Sequence, residues 1–138
     1  MEVTIADLNA AGAAVLPGHL GVEIDEAESG RVTSHMDVRQ HHMAPHGYLH
    51  AASVIALADT SCGYGCMLSL PEGGTGFTTI ELKANFLGTT RDGTLTCIAK
   101  PAHLGRTTQV WDATVTRHDD GGTIAIFRCT QMVLWPKT

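Results

Sequence analysis

Apolar and polar positions along the chain predict two strands, one long buried helix and then four further strands. Residues 19–28 and 31–39 alternate between apolar and polar side chains, and Ser29 and Gly30 between them predict a hairpin turn. Between residues 49 and 70 the pattern changes to Ala, Val, Ile and Leu without a polar face, which indicates a helix enclosed by other structure. Strand-like segments then follow over residues 75–87, 93–103, 107–118 and 123–135.

A short amphipathic helix is predicted ahead of the first strand. Thr4 and Asp7 have the spacing of a helix N-cap, and Ile5 and Leu8 begin an apolar repeat at helical spacing, which Pro17 ends. Together these elements predict an α+β fold in which an antiparallel sheet of about six strands curls around a helix roughly 30 Å long. A single-layer sheet leaves edges and an open side, so pairing with a second copy is expected.

Length and composition favour one globular domain spanning residues 1–138. The chain is 43% hydrophobic, enough to bury a core, but its apolar runs are interrupted before the roughly 20 residues that a membrane span requires. The N-terminus lacks a basic-then-apolar signal pattern, so a cytoplasmic protein is expected. A net charge of −5 argues against nucleic acid as a partner. Four cysteines without paired spacing are expected to be reduced core residues: Cys62, Cys66, Cys97 and Cys129.

Asp59 is an isolated charge in the middle of the apolar helix. No other Asp, Glu, Lys or Arg occurs between Arg39 and Glu72. An ionised carboxylate in such surroundings is unfavourable by roughly several kcal/mol unless it has a partner, so its presence requires a reason. Either Asp59 is a catalytic base or nucleophile, or it pairs with a core hydroxyl or backbone group or faces a partner chain.

The loop before this helix holds four of the eight histidines. His46 and His50 are four residues apart, as two metal ligands on one helix face would be. Pro45 and Gly47 place His46 in a loop, however, and no nearby Cys or Glu completes a ligand set, so no metal site is predicted. The loop also leads to the helix N-terminus, whose free N–H groups stabilise developing negative charge such as a thioester oxyanion.

His50 and Asp59 cannot act together within one chain. Nine residues along a helix correspond to about 13 Å, too far for both to touch one carbonyl carbon. If two copies pack their helices antiparallel, the N-terminus of one helix comes near Asp59 of the other, and two equivalent sites form. A homodimer, or a dimer of such dimers, is therefore predicted to be the catalytic unit.

The chain resembles the hotdog-fold acyl-CoA thioesterases of the phenylacetate-pathway and 4-hydroxybenzoyl-CoA type. The most specific part is PHGYLHAA at residues 45–52, which leads to Asp59 nine residues after His50, and a second part is TTIELKANFL at residues 78–87, similar to the third strand of that family. The resemblance covers nearly the whole chain. It implies a hotdog fold, in which the sheet wraps around a long buried central helix.

The resemblance also implies roles for individual residues. Asp59 would be the base or nucleophile, the backbone N–H of Ala51 the oxyanion donor, His50 its orienting or polarising neighbour, and Thr79 a hydroxyl that positions water. The substrate would be an acyl-CoA, so CoA is part of the substrate and no separate cofactor is implied. Substrate and CoA contacts would come from a loop glycine and from residues in turns: Gly47, Arg91, Gly105 and Arg106.

The chain departs from the family pattern at two places. The glycines that follow the histidine in the family are Ala51 and Ala52 here, which keeps the N–H donor and adds methyl groups beside it. Ala44 stands where many members carry an Asn or Gln that contacts the substrate, and His42 and His46 are the candidate replacement donors.

The predicted function is hydrolysis of an acyl-CoA to free acid and CoA. Two alternatives remain at this stage: a hydratase or dehydratase on the same fold, which would require a catalytic His paired with an acid, and a non-catalytic acyl-CoA sensor or carrier. Retention of Asp59 favours the thioesterase. The sequence leaves open whether the acyl group is aromatic or of medium chain length, and whether Asp59 acts as nucleophile or base.

Overall fold

The computed structural model describes residues 2–138, in which a six-stranded antiparallel sheet wraps around one long helix. The predicted α+β hotdog architecture is confirmed, with strand order β1-β2-β4-β5-β6-β3. In chain order the elements are α1 (Ile5–Gly12), α2 (Leu16–His19), β1 (Val22–Glu28), β2 (Arg31–Asp37), a 3₁₀ turn (Gln40–His42), α3 (Ala51–Leu68), β3 (Gly76–Phe86), β4 (Thr94–Leu104), β5 (Thr108–Arg117) and β6 (Thr123–Leu134).

The N-terminal segment contains two helices where the sequence predicts one. The Thr4–Asp7 capping box forms as expected, with the Asp7 N–H donating to Thr4 Oγ1 at 3.1 Å. The first helix ends at Gly12, however, and Pro17 lies in the first turn of α2. A proline is tolerated in the first turn because its missing N–H would have no partner there. The strand predicted from residue 19 therefore begins only at Val22.

The inner face of the sheet packs against α3 most tightly at β2, β4 and β5. Trp111 on β5 is 0% exposed, and a Cβ on Gly65 of α3 would lie 2.5 Å from its ring, so only glycine allows this approach. The Trp111 indole N–H donates to Gln109 Oε1 at 2.8 Å, and Gln109 Nε2 donates to the Ser69 carbonyl at 3.0 Å. These two bonds tie the C-terminal end of α3 to the centre of the sheet.

Strand β3 lies at the edge of the sheet and pairs only with β6. Its inner face carries Leu82 and Phe86, which are 41% and 44% exposed although they point to the helix side of the sheet. A bulge between Thr79 and Glu81 shifts the register and leaves Ile80 exposed as well. The apolar inner face of β3 is therefore only partly covered within one chain.

Helix α3 passes a length-and-hydropathy test for a membrane span, with 18 residues and a mean hydropathy of 1.2. Half of that window is buried inside the chain, and core helices of this kind pass the same test. The four cysteines are free and buried, as the sequence predicts.

Candidate active site

Asp59 lies in the middle of α3, half-buried, with one carboxylate oxygen lacking a hydrogen-bond partner. Among residues 2–138, Oδ1 of Asp59 is the buried side-chain polar atom left without a bond. Burial raises the pKa of this carboxyl above its ordinary value, because removal from water disfavours the charged form. Oδ1 therefore has no core hydroxyl or backbone group as its partner, and a buried acceptor without a partner is typical of a functional position.

His50 is the N-cap of α3 and fixes the donors at the helix start. Its Nδ1 accepts the Ala52 N–H at 2.9 Å, so the ring carries its proton on Nε2. The Ser53 N–H bonds to the His50 carbonyl at 3.0 Å. Within the described residues the N–H of Ala51 is left free, and it points out of the helix N-terminus. The structure thus provides the donor that the oxyanion role of Ala51 requires.

A buried histidine, His42, holds the loop that leads into this helix. Its Nε2 donates to the Leu20 carbonyl at 2.7 Å, and its Nδ1 accepts the Arg39 N–H at 2.9 Å. Its own carbonyl accepts both the Ser53 hydroxyl and the His50 N–H. Burial lowers the pKa of His42, which keeps the ring neutral. The suggestion that His42 replaces the substrate-contacting amide is wrong, because both ring nitrogens already have partners.

A cleft of about 450 Å³ opens beside the N-terminus of α3. The loop, the first turn of the helix and the end of β3 line it: Ala44, His46, Tyr48, Leu49, His50, Ala51, Val54, Phe86, Gly88 and Thr89. His46 remains a candidate donor. Its Nδ1 accepts the Tyr48 N–H at 3.2 Å, which leaves the Nε2–H available to donate to a substrate. Gly47 has φ +88°, a conformation that other residues rarely adopt, so it shapes the loop instead of contributing a side chain.

Arg91 lies next to this cleft, in the segment between β3 and β4. Its guanidinium carbon is 4.4 Å from the centre of the Tyr48 ring, which lines the cleft. Stacking on an aromatic face restricts the arginine without neutralising its charge. Arg91 is thus placed to meet an anionic group at the cleft rim.

Gly105 and Arg106 lie in the β4–β5 turn, at the opposite end of the sheet. The Gly105 N–H donates to the Thr108 carbonyl at 2.9 Å, and a Cβ at Gly105 would lie 2.6 Å from the His103 ring. The Arg106 guanidinium carbon is 4.2 Å from the Trp135 ring centre, and the Trp135 indole N–H donates to the Arg106 carbonyl. Arg106 is therefore not brought to the cleft of its own chain.

Thr79 lies on the inner face of β3, where it pairs in register with the buried Gln131 of β6. Its hydroxyl donates to Oε1 of Gln131 at 2.6 Å. Gly63, one helical turn after Asp59, faces Phe77, whose ring would be 3.1 Å from an added Cβ. Helix α3 thus meets β3 at Gly63 and Phe77, and at its N-terminal end Val54 and Phe86 line one cleft. In sequence, Asp59 lies between the two helix positions and Thr79 between the two strand positions. The fully buried Gln131 carries no local sequence signal that would have identified it.

A metal centre and a catalytic His–acid pair are two other kinds of functional site. No group of three or more His, Cys, Asp or Glu suited to hold a metal ion occurs in the part of the chain that the structure describes. His35 Nδ1 lies 2.8 Å from Asp25 Oδ1, but His35 alternates with the buried Ser34 and Met36 and so points to the outer face of the sheet. This His–acid pair therefore lies on the face of the sheet that does not contact α3.

Comparison with known proteins agrees with the geometry. Residues 46–124 match the model of the Thioesterase superfamily. The chain is 31% identical to the 1,4-dihydroxy-2-naphthoyl-CoA hydrolase of Listeria monocytogenes over 80% of this chain and 89% of that protein. It is 32% identical to the proofreading thioesterase EntH of Klebsiella pneumoniae over 88% of this chain and 86% of that protein.

Solved structures give the same result. A mutant of thioesterase PA1618 from Pseudomonas aeruginosa superposes with a TM-score of 0.90 at 30% identity, covering 97% of this chain and 96% of that one. The shared features are the curved antiparallel sheet and its central helix. The chain therefore belongs to the Thioesterase superfamily and is a hotdog-fold thioester hydrolase.

Proposed function

We propose that the chain hydrolyses acyl-CoA thioesters in a site shared between two copies. The observation that carries this proposal is the half-buried carboxylate of Asp59, whose Oδ1 has no partner within the described chain, on the same helix as the free N–H of Ala51. One group can accept a proton and the other can stabilise an oxyanion, which are the two requirements of thioester hydrolysis.

A second copy is required because these two groups are far apart in one chain. Nine residues of helix separate His50 and Asp59, roughly 13 Å. The open inner face of β3, with Leu82 and Phe86 exposed, is an apolar surface next to Asp59 that a second chain can cover. Antiparallel packing through this face brings Ala51 of the partner subunit toward Asp59 and creates two equivalent sites.

The proposed reaction begins with the thioester carbonyl oxygen bound by the N–H of Ala51 of the partner subunit, beside the His50 Nε2–H. Asp59 either removes a proton from water as the water oxygen adds to the carbonyl carbon, or its own carboxylate oxygen adds to that carbon. In both routes the tetrahedral intermediate collapses with cleavage of the C–S bond and release of the CoA thiolate. On the first route the thiolate takes up the proton held by Asp59. On the second route the collapse leaves an anhydride, which water cleaves to the free acid and the Asp59 carboxylate, and the thiolate takes up the proton that the water releases. No metal or redox cofactor takes part in this scheme.

The remaining site residues are assigned to CoA. In the antiparallel dimer the turn that carries Gly105 and Arg106 comes to the end of the partner where Gly47 and Arg91 lie, so both arginines can reach one phosphate-bearing ligand. The Listeria relative acts, by its name, on an aromatic acyl-CoA. Tyr48 and Phe86 in the cleft also suit an aromatic acyl group, which therefore heads the substrate panel.

The alternatives differ from the thioesterase in what they require of the site. A hydratase would use a His–acid pair, and His35–Asp25 lies on the outer face of the sheet. A sensor or carrier has no use for a buried carboxylate oxygen without a partner, which reduces stability. We further propose that residues 1–138 act as one domain in the cytoplasm, as a homodimer or a dimer of dimers.

The first experiment is release of free CoA thiol from aromatic, short-chain and medium-chain acyl-CoAs by the native chain and by Asp59→Asn. Native turnover that falls by roughly 10³-fold or more in the folded variant supports the proposal. No turnover with tight CoA binding identifies a sensor or carrier. Turnover that survives the substitution excludes Asp59 as the catalytic carboxylate.

A further inference from the structure

We infer that Gln131 is a positioning residue that makes Thr79 a hydrogen-bond acceptor toward the attacking water, so that Asp59 acts as a general base. This inference rests on the proposed function and extends it to the choice between base and nucleophile. It assigns a role to a buried amide of β6 that touches neither substrate nor water. The observation behind it is the short bond between Thr79 and Gln131.

The orientation of the Gln131 amide follows from its two contacts. Thr79 Oγ1 lies 2.6 Å from Oε1, a distance typical of an O–H···O bond and shorter than usual for N–H···O. Nε2 lies 3.4 Å from Cys129 Sγ, as expected when an amide N–H donates to sulfur. The amide oxygen therefore faces Thr79 and can only accept, so the Thr79 hydroxyl must be the donor.

The consequence for Thr79 is that its single proton is directed away from the helix. A hydroxyl has one donor and two acceptor lone pairs, and the lone pairs are left for the side that faces Asp59. Thr79 therefore cannot donate to the Asp59 carboxylate, whose Oδ1 indeed has no partner within the described residues. Both groups are then acceptors for whatever lies between them.

A water molecule between two acceptors has both hydrogens fixed and a lone pair free. One hydrogen of the water points to Asp59 and moves to it as the water oxygen bonds to the thioester carbon. The other hydrogen remains on the water oxygen and keeps its hydrogen bond to Thr79 Oγ1. This arrangement orients the nucleophile, and misplacement by about 1 Å can reduce a rate by roughly 10²-fold. It also selects the general-base route, because the carboxylate is directed at water and not at the acyl carbon.

The matched control is Gln109, which pairs directly with Gln131 across β5 and β6 and is equally buried. Its amide bonds to Trp111 and Ser69 and does not contact Thr79. Gln131→Met and Gln109→Met therefore remove the same chemical group from neighbouring core positions. Differences between the two variants report on Thr79 and not on loss of core polarity.

The test combines steady-state kinetics with titration of the Asp59 carboxyl by ¹³C NMR. Gln131→Met should lower kcat roughly 10- to 100-fold with little change in KM. It should also lower the pH midpoint of the acid limb by about one unit, because the released Thr79 hydroxyl now donates to Asp59. Gln109→Met should leave the midpoint unchanged. In a Thr79→Val background, Gln131→Met should have no further effect on kcat.

Three results would overturn the inference: equal kinetic effects of the two Met variants, an additive effect of Gln131→Met on top of Thr79→Val, or an unchanged Asp59 midpoint in Gln131→Met. If the native chain hydrolyses no acyl-CoA, the proposed function fails by itself. The NMR titration, which needs no substrate, then still decides whether Gln131 directs the Thr79 proton away from Asp59.

Discussion

The inner face of the sheet differs between its centre and its β3 edge. At the centre, Trp111 is completely buried and its indole N–H, like the amide of Gln109, has a hydrogen-bond partner. At the edge, Leu82 and Phe86 are exposed, and the neighbouring Asp59 has a carboxylate oxygen without a partner. Close packing and hydrogen-bonded polar groups stabilise the fold at the centre. At the edge, the exposed apolar side chains and the carboxylate oxygen without a hydrogen bond mark the region where a ligand or second copy is needed.

The largest effect is expected from placing a charge on the open face. Leu82→Lys should prevent a second chain from covering β3, because a lysine on an edge strand opposes association. If the oxyanion donor comes from the partner, activity should fall by roughly 10²- to 10³-fold or more, and the protein should sediment as a monomer.

The control for this substitution is Leu16→Lys, at a leucine that is more exposed, on α2. Leu16→Lys should change neither the oligomeric mass measured by sedimentation nor the activity. A monomeric Leu82→Lys variant with native turnover would show that one chain holds the complete site.

Substitution of two glycines of α3 compares the packing at the centre and at the edge more directly. Gly65→Ala forces a methyl group against the buried Trp111 ring, where the surrounding core cannot move, and should lower the free energy of unfolding by about 1–3 kcal/mol. Gly63→Ala meets the ring edge of the half-buried Phe77 at 3.1 Å, and the open side of β3 lets that ring shift. Its loss of stability should be under about 1 kcal/mol.

Urea denaturation measures both glycine variants, and kcat is measured in parallel. Because Gly63 lies one turn from Asp59, Gly63→Ala should lower kcat although its free energy of unfolding stays close to that of the native chain. Equal destabilisation by both alanines would contradict the idea that the edge is less tightly packed than the centre.

The features that the sequence could predict are those with a local or periodic signal. The apolar run at 49–70 predicts α3, and the isolated charge of Asp59 stands out against it. The features that it could not predict depend on long-range contacts: Thr79 bonds to Gln131, 52 residues away, and His42 bonds to Leu20, 22 residues earlier. The role of Pro17 is ambiguous in the sequence, because proline is compatible with both the end of one helix and the first turn of another.

A smaller effect is expected at the N-cap of α3. His50→Ala leaves the Ala52 N–H without its acceptor and should reduce stability by about 1 kcal/mol, whereas His50→Asn retains a good N-cap and should be near native in stability. Both variants lack the ring Nε2–H, so both should lower kcat by a similar factor. Thermal unfolding and CoA release separate the two roles, and native kcat in His50→Asn would show that the ring serves only as a cap.

The smallest effect concerns the stability of the Asp59 region at different pH values. The pKa of Asp59 is raised by burial, so the native chain loses stability as pH rises from the ordinary carboxyl pKa of 3.8 through the higher folded value. Asp59→Asn cannot ionise, and at pH 7.5 it should be more stable than native by about 0.5–1 kcal/mol. At pH 4.5 the gap should narrow, because the folded carboxyl takes up a proton more readily than an ordinary carboxyl does. Asp112→Asn is the control of opposite sign: Arg128 lowers the pKa of Asp112, so the native pair stabilises at neutral pH and loses that contribution on acidification. Urea denaturation at both pH values measures all three chains, and a gap between native and Asp59→Asn that widens at pH 4.5 would mean that Asp59 is stabilised in its charged form.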